Sequence, residues 1–274
     1  MRFPYRLAAI DLDETLLGPD HRIAARNAAA IHALAARGVE CVIASGRMHV
    51  ATTRYAEELG LAGPIISYNG AMVRPSTDTI AWRHVRMAPG PAAEVARMCA
   101  DRGLHLNYYL DDRLLIARRT QWGDLYLRRT GSPVEVVGDL TALEGSRPTK
   151  LLIVDSPEAT DALMAECRSR YGPALYITKT NAEYLEFMDP TVSKAAALAF
   201  VARRFGIARA ECMAFGDGAN DAPMIAWAGL GIAMAGGSAQ ALAAADRLAP
   251  AYEEDGLGRA IEELLAVHGA NPPA

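Results

Sequence analysis

Several features that would place this chain among secreted, membrane-bound or nucleic-acid-binding proteins are missing from its sequence. No uninterrupted apolar run approaches the roughly eighteen residues needed to cross a bilayer. The chain reaches Asp11 before a secretory apolar segment could develop. The net charge is −4, without a block of like charges, which argues against nucleic acid or a membrane surface as partner. We therefore expect a cytoplasmic protein without a nucleic-acid or membrane partner.

Cysteine and histidine are both scarce, and neither is grouped along the chain. No Cys-x-x-Cys pair occurs, so we expect buried free thiols in a reducing compartment. The 6 histidines show no close ligand spacing, which argues against a histidine-based zinc site. The 4 cysteines are Cys41, Cys99, Cys167 and Cys212.

The chain has no Pro/Ser-rich linker, although its 274 residues exceed one typical domain. Short apolar runs alternate with helical patterns at both ends, which predicts a parallel sheet with crossover helices. Between residues 86 and 187 the sequence pattern is different, because aromatic residues are concentrated there and one segment is typical of a β-hairpin. The sequence thus predicts an α/β fold, with a doubly wound, Rossmann-like parallel-sheet core formed by 1–85 and 188–274 and an inserted α+β domain at 86–187.

The predicted elements of the core can be placed from these patterns. The predicted strands are 7–10, 39–44, 64–68, 212–215, 231–234 and 247–249. The predicted helices are 23–37, 51–59, 193–205 and 223–228.

Polar residues follow four of the predicted strands. Open α/β sheets bind ligands at the carboxyl ends of their strands, so we expect these residues to meet at one edge. The four groups are Asp11 with Asp13, Ser45–Arg47, Tyr68–Gly70 and Gly216–Asp221.

The acidic residues among them suit phosphoryl chemistry. Asp11 and Asp13 are two residues apart at a strand end, so both carboxylates face one side. Like charges held that close invite a bound cation or a shared proton. Asp217 and Asp221 would complete an oxygen-rich cluster of the kind that Mg²⁺ requires. A solvated strand end and a capped loop are the alternatives.

Lys194 and Ser45 are candidate phosphate ligands. A cation in the first turn of a helix opposes the helix dipole, and a phosphoryl oxygen would justify the position of Lys194. A solvated lysine is the alternative, and Ser45 could equally cap the following helix. A dinucleotide loop at Gly216–Asp221 is disfavoured, because the carboxylates there would repel a pyrophosphate.

Taken together, these residues resemble the motifs of the haloacid dehalogenase superfamily, specifically Cof-type phosphatases with a class IIB cap. The resemblance covers nearly the whole chain, and the insertion lies between the second and third motifs. In order, the four motifs are Asp11–Thr15, Ala44–Arg47, Ser193–Lys194 and Gly216–Asp221.

The resemblance implies a two-step mechanism. Asp11 would attack phosphorus and become an aspartyl phosphate, while Asp13 would protonate the leaving oxygen and then activate water. Mg²⁺ would be held by Asp11, the backbone carbonyl of Asp13 and Asp217, with Asp221 nearby.

The resemblance also implies phosphate and substrate contacts, with the inserted domain as a cap that selects the leaving group. The implied phosphate-binding residues are Ser45, Gly46, Lys194 and Asn220. The implied substrate-binding residues are Arg47, Asn69, Gly70, Asn107, Tyr108, Lys179 and Asn181.

Two positions depart from the pattern of the family. Glu14 and Ala195 stand where the family usually has glycine. We expect Glu14 either to point away from the phosphoryl group or to disfavour strongly anionic leaving groups.

The leading hypothesis is a Mg²⁺-dependent phosphatase for a small phosphorylated metabolite, such as a sugar phosphate or a phosphorylated cofactor. A phosphomutase of the same superfamily is one alternative. A binding or signalling module that accepts phosphate without turnover is another. The sequence does not indicate an oligomeric state.

Overall fold

The computed structural model describes residues 3–18 and 20–269, which divide into two units. The first, here called the core unit, comprises the chain up to Arg47, Thr52–Trp82 and the chain from Ser193 onward. The second, here called the inserted unit, comprises Met48–Ala51 and Arg83–Val192. Its main segment therefore runs from 83 to 192, whereas the sequence placed the insertion at 86–187.

The helices and strands of the described residues are numbered in chain order. The strands are β1 (Leu7–Ile10), β2 (Glu40–Ile43), β3 (Pro64–Ser67), β4 (Met72–Pro75), β5 (Arg83–His84), β6 (His105–Leu110), β7 (Arg113–Ile116), β8 (Glu135–Val136), β9 (Lys150–Val154), β10 (Tyr176–Asn181), β11 (Tyr184–Met188), β12 (Cys212–Gly216), β13 (Leu230–Met234) and β14 (Arg247–Ala249). The α-helices are α1 (Ala25–Ala35), α2 (His49–Glu58), α3 (Pro89–Arg102), α4 (Gln121–Thr130), α5 (Pro157–Tyr171), α6 (Lys194–Arg204), α7 (Ala222–Trp227), α8 (Ala239–Ala244) and α9 (Gly256–Gly269).

The core unit is built on a five-stranded parallel sheet with the order β14-β13-β12-β1-β2. In the register of β1, Leu7 lies opposite Cys212 of β12 on one side and Glu40 of β2 on the other. Both faces are covered, as expected for parallel strands that read as continuous apolar runs. Consequently β1 is buried along its whole length, and its alternate residues contribute to two separate hydrophobic clusters.

Helices cover the two faces of this sheet. On one face α1, α2 and α9 contribute Ile31, Leu34, Tyr55, Leu257 and Ile261 to the larger cluster. On the other face α6 and α7 contribute Leu198, Val201 and Met224. This two-sided arrangement is the predicted doubly wound core.

The strand predicted at 64–68 does not extend the parallel sheet as a full ladder. It forms β3, which pairs antiparallel with β4 and meets the end of β2 at a single parallel bridge, Ala44 to Ile66. The Ser45 N–H donates to the Ile66 carbonyl there, at 2.8 Å. Tyr68 and Asn69 follow β3 with φ angles of 52° and 55°, and this left-handed turn sends the chain back into the hairpin.

The inserted unit is α+β, as the sequence predicted. Its six-stranded sheet has the order β10-β11-β9-β6-β7-β8, in which β7 pairs parallel with β8 and the other neighbouring strands pair antiparallel. Helices α3 and α5 pack against one face, where Val95, Leu106, Ile153, Leu163 and Phe187 form a single hydrophobic cluster.

Helix α5 shows how local sequence sets an element boundary. The Ser156 side chain accepts a hydrogen bond from the Ala159 N–H at 3.2 Å, and Pro157 is the first helical residue. Both residues suit these positions, because the cap satisfies a free N–H and proline has none to satisfy. The helix therefore begins directly after Ser156.

Two expectations about composition can be checked in the fold. All four cysteines are buried and unpaired, as predicted. Among the described residues, no helix combines the length and apolar character needed to cross a membrane.

Candidate active site

The site lies at the carboxyl ends of the three neighbouring strands β12, β1 and β2. Asp11 follows β1, Asp217 follows β12, and Ser45 lies just beyond β2. The Asp11 N–H donates to the Phe215 carbonyl at 2.9 Å, which extends the ladder by one residue and fixes Asp11 beside β12. The sheet order thus brings together residues that are about two hundred positions apart in the chain.

Three carboxylates form an acidic cluster at this edge. Asp11, Asp217 and Asp221 each offer an oxygen, and these oxygens lie within 4.8 Å of one another. Burial, followed by the charge of Asp221, raises the pKa of Asp11 well above its usual value. The same two causes raise the pKa of Asp217 to about 7, against the opposing hydrogen bond that Thr15 donates at 3.1 Å. The donor set is all oxygen and strongly negative, which fits a hard divalent cation such as Mg²⁺.

Lys194 places a positive charge inside this cluster. It is the first residue of α6, whose N-terminus is capped by Ser193 through a 3.0 Å bond from the Ala196 N–H. Its Nζ donates to Asp11 and to Asp221, and its side chain is fully buried. Burial lowers the pKa of Lys194, but the two carboxylates outweigh burial and raise that pKa above its ordinary value. The sequence analysis explained the position of this lysine by a phosphoryl oxygen; the structure gives it two carboxylate partners, and its contact with phosphate stays a prediction.

The loop after β12 depends on two glycines. Asp221 folds back so that its Oδ2 accepts the N–H groups of Asp217, at 3.2 Å, and Gly218, at 2.9 Å. A Cβ at Gly216 would lie 2.6 Å from the Asp221 Cβ, and one at Gly218 would lie 2.3 Å from the Asn220 Oδ1. A side chain at position 216 would therefore displace Asp221 from its contacts with Lys194 and the loop, whereas a side chain at position 218 would displace the Asn220 side chain.

Asn69 and Gly70 connect three of the motifs. Asn69 is buried, and its Oδ1 accepts from the Asn220 Nδ2 at 3.0 Å. The same oxygen would lie 2.8 Å from a Cβ at Gly46. Gly70 has a φ of 98°, and a Cβ there would lie 2.2 Å from the Ser193 carbonyl oxygen. Both residues therefore pack the motifs together, and their contact with substrate stays a prediction.

The second motif is organised by Ser45 and Arg47. Ser45 is buried, and its Oγ accepts the Arg47 N–H at 3.1 Å in the turn before α2. Because α2 begins at His49, this bond does not cap the helix. The Arg47 Nε donates to the Asp13 Oδ2 at 2.9 Å, and its Nη2 donates to Oδ1. Asp13 thus directs its carboxylate to Arg47, apart from the three clustered carboxylates. A phosphate contact of Ser45 stays a prediction.

The four substrate residues predicted in the inserted unit do not form one group. Asn107 is buried and its Oδ1 accepts a hydrogen bond from the His105 Nε2 at 3.0 Å. Tyr108 is buried, and its hydroxyl is hydrogen-bonded to a serine of the same unit. Lys179 is paired with an aspartate of α5 at 2.5 Å, while Asn181 is exposed at the end of β10. Their contact with substrate also stays a prediction.

Glu14 lies in the turn that follows Asp13. Its φ of 58° is in the left-handed region, where glycine costs least, and its side chain is exposed. Behind burial and Asp221, the charge of Glu14 is a further cause that raises the pKa of Asp217. The departure from the family pattern therefore adds negative charge near the acidic cluster.

Two residues of the site were given no role by the sequence. Thr15 hydrogen-bonds Asp217, and Tyr55 contacts Arg47 through its hydroxyl at 3.3 Å. Thr15 lies inside the first motif, and this position could have indicated that it has a role in the site. Tyr55 is one of several apolar positions in a predicted helix, and nothing in the sequence distinguished it.

Comparison with known proteins agrees with this geometry. The family described as haloacid dehalogenase-like hydrolase matches residues 8–261. The chain is 28% identical over 245 residues to the HMP-PP phosphatase of Cronobacter sakazakii, covering 87% of each chain. It is 27% identical over 269 residues to the 5-amino-6-(5-phospho-D-ribitylamino)uracil phosphatase YitU of Bacillus subtilis, covering 96% of this chain and 98% of that protein.

A solved structure shares the fold. The subclass IIB sugar phosphatase BT4131 superposes with a TM-score of 0.81 at 20% identity, covering 94% of this chain and 98% of that one. The chain belongs to the haloacid dehalogenase-like hydrolases. It is an enzyme of the phosphatase type within that superfamily.

Proposed function

We propose that this protein is a Mg²⁺-dependent phosphatase that hydrolyses a small phosphorylated metabolite, a sugar phosphate or a phosphorylated cofactor, through an aspartyl phosphate on Asp11. The observation that carries the proposal is the contact of Asp11 with Lys194 inside a buried acidic cluster. Such a pair offers both a nucleophilic carboxylate and a cation to meet a phosphoryl group.

In the first step an Asp11 carboxylate oxygen attacks phosphorus, and the bond from phosphorus to the leaving oxygen breaks. Asp13 gives its proton to that oxygen, so that the product leaves as a neutral alcohol. The carboxylate of Asp13 is about half exposed, which supports a role toward a group that arrives from solvent.

In the second step Asp13, now a carboxylate, takes a proton from water as the water oxygen attacks the phosphorus of the aspartyl phosphate. The bond from phosphorus to the Asp11 oxygen breaks, which releases inorganic phosphate. Both carboxyl groups return to their starting protonation states, so the cycle closes without another reactant.

The residues proposed to hold the metal are Asp11, Asp217, Asp221 and the backbone carbonyl of Asp13. When bound, Mg²⁺ would neutralise phosphoryl charge and orient the phosphoryl group. Lys194 is buried against Asp11, a location that supports a second positive contact to the phosphoryl oxygens. Ser45, Gly46 and Asn220 are proposed as the remaining phosphate ligands.

The proposed substrate class draws on the relatives. Two of them are named as phosphatases of HMP-PP and of a phosphoribitylamino uracil, both small phosphorylated molecules. We propose Arg47, Asn69, Gly70 and residues of the inserted unit as the substrate contacts. The four buried free thiols support work in a reducing cytoplasm.

The test is a phosphatase assay across sugar phosphates, nucleotides and phosphorylated vitamins, with and without Mg²⁺. Asp11→Asn should lower turnover by at least about a thousandfold while leaving the fold intact. Asp101→Asn, an exposed aspartate on α3, is the matched control and should keep full activity. Substantial activity of Asp11→Asn would overturn the proposal.

Product analysis separates the alternatives. Free phosphate supports the phosphatase, whereas an isomerised sugar phosphate would identify a phosphomutase. A long-lived phosphorylated protein without release of phosphate would identify a module that only accepts phosphate. Rapid-quench mass spectrometry should detect the adduct on Asp11 during turnover.

A further inference from the structure

Arg47 holds Asp13 through two parallel hydrogen bonds. Its Nε and Nη2 donate to the two carboxylate oxygens, the paired geometry that fixes both the position and the plane of a carboxylate. The Arg47 side chain is 11% exposed, whereas the Asp13 side chain is 47% exposed. Among the described residues, no other side chain hydrogen-bonds the Asp13 carboxylate. The orientation of Asp13 therefore depends on how firmly Arg47 itself is held.

Tyr55 supplies that support. The third arm of the guanidinium, Nη1, donates to the Tyr55 hydroxyl at 3.3 Å, and the guanidinium carbon of Arg47 lies 5.7 Å from the centre of the Tyr55 ring. The same hydroxyl accepts from the Arg54 Nη2 at 2.5 Å, and the Arg54 guanidinium carbon lies 4.5 Å from the ring centre. Tyr55 is thus contacted by two arginines through both its hydroxyl and its ring.

The ring of Tyr55 is closely packed. It lies in α2, is 2% exposed, and belongs to the larger hydrophobic cluster of the core unit. A buried ring in a packed helix has little freedom to move. A group held in this way can fix the side chains that it contacts, as the supporting shell of a catalytic site must.

We propose that Tyr55 is a positioning residue for the acid–base step, acting through Arg47 on the carboxylate of Asp13. The inference rests on the proposed function, in which Asp13 protonates the leaving oxygen. Proton transfer requires a heavy-atom distance of about 3 Å, and a misplacement of about 1 Å can lower a rate about a hundredfold. The Tyr55 hydroxyl therefore acts on catalysis without touching the substrate.

The expected signature is a dependence on the leaving group. An alkoxide, as in glycerol phosphate, needs a proton in order to leave, whereas p-nitrophenolate leaves without one. The measured quantity is kcat/KM, which reports the steps up to departure of the leaving group. A purely structural role of Tyr55 would lower the values for both substrates by the same factor.

The experiment compares Tyr55→Phe with wild type on glycerol phosphate and p-nitrophenyl phosphate. The variant keeps the buried ring and removes only the hydroxyl. We expect kcat/KM to fall about tenfold for the alkyl ester and about twofold or less for the aryl ester, a fraction of the 10²–10⁴-fold that an acid contributes. Equal losses for both esters, or no loss for either, would overturn the inference.

Asp13→Asn separates this inference from the proposed function. It should show the same preference for the aryl ester, but more strongly. If Asp13→Asn shows no such preference, the acid role of Asp13 fails and the inference fails with it. If Asp13→Asn shows the preference and Tyr55→Phe does not, only the role of Tyr55 fails.

Two further measurements complete the design. Tyr171→Phe removes the hydroxyl of a buried tyrosine in the inserted unit and should leave the ratio of the two kcat/KM values unchanged. Because Tyr55 is proposed to act through Arg47, Tyr55→Phe should have no further effect on that ratio in an Arg47→Met background. An additive effect there would show that Tyr55 acts by another route and would overturn the inference.

Discussion

Replacing Asp217 by asparagine should stabilise the metal-free protein at alkaline pH. The carboxylate of Asp217 is held among two others, and burial raises its pKa from 3.8 to about 7. Asparagine has nearly the same shape and can still accept the hydrogen bond from Thr15. It carries no charge, however, so the variant does not have to place an anion in a buried, negative site.

The magnitude follows from the difference between the folded and unfolded pKa values. One pKa unit corresponds to about 1.4 kcal/mol, so an increase from 3.8 to about 7 corresponds to about 4 kcal/mol. A carboxyl whose folded pKa is raised contributes its stability below pH 3.8 and loses it as the pH rises through about 7. The Asp217→Asn variant should thus exceed wild type by up to about 4 kcal/mol at pH 8 and by much less at pH 5.

Magnesium should narrow the difference in stability between the two proteins. A ligand that binds only the folded state stabilises it by about 2.7 kcal/mol at one hundred times its Kd. Wild type should gain stability on adding MgCl₂ at pH 8, whereas Asp217→Asn, which lacks a proposed ligand, should gain little. The assay is urea unfolding in a chelator and in MgCl₂, each at pH 5 and pH 8.

Asp101→Asn is the matched control for this series. It removes an exposed aspartate on α3 and should leave the unfolding free energy unchanged at either pH. The reasoning would be refuted if Asp217→Asn were no more stable than wild type at pH 8 in chelator. A difference between the two proteins that did not shrink at pH 5 would also refute it.

Three more predictions concern the same edge of the sheet. Lys194→Met should lower the free energy of unfolding at pH 7, measured in urea, by about 3–5 kcal/mol, because Asp11 and Asp221 lose the cation that they contact. A loss below about 1 kcal/mol would contradict this. Gly70→Ala should lower the Tm by several degrees, because the alanine Cβ would lie 2.2 Å from the Ser193 carbonyl oxygen and the φ at this position is 98°. An unchanged Tm would show that the turn rearranges freely. Glu14→Gly should raise the free energy of unfolding by about 0.5–1 kcal/mol, because glycine adopts a left-handed φ without strain. The same variant should change substrate preference more than Mg²⁺ affinity. Equal activity changes across a substrate panel would exclude the effect on preference.

The elements that position the site could be predicted because their signals are local. Continuous apolar runs indicated β1, β2 and β12, and each of these strands lies within a residue or two of its predicted bounds. The rule that ligands bind at the carboxyl ends of parallel strands then brought Asp11, Ser45 and Asp217 together. This step needed no knowledge of side-chain packing, because each motif directly follows a strand and parallel strands end at the same edge of a sheet.

The pairing of β3 could not be predicted, because the decisive feature is a turn that its residue types do not require. Tyr68 and Asn69 both adopt positive φ angles, which tyrosine rarely does. The approach of Gly70 to Ser193 holds that turn in place, and this contact joins residues more than a hundred positions apart. Such a tertiary contact overrides local preference and leaves no mark in the local pattern.

The sequence also could not show which charged side chains pair with each other. Asp13 and Arg47 were both assigned to the site, but their bidentate pairing depends on side-chain directions that only the folded chain defines. Tyr55 follows from that pairing, since its role exists only because Arg47 reaches it. Residue types could thus be placed at the site, whereas the connections among them could not.

The charge of the acidic cluster explains why a divalent cation suits this site. For Asp11 to attack phosphorus it must be ionised, yet burial and the charge of Asp221 hold its pKa well above the usual value. Among the described residues, Lys194 is the only cation in contact with the cluster, so full ionisation of the three carboxylates leaves two negative charges uncompensated. We infer that one divalent ion would balance these charges and return the pKa of Asp11 to a range in which the carboxylate is available. On this reasoning a bound divalent ion and Lys194 would together favour the ionised form of Asp11.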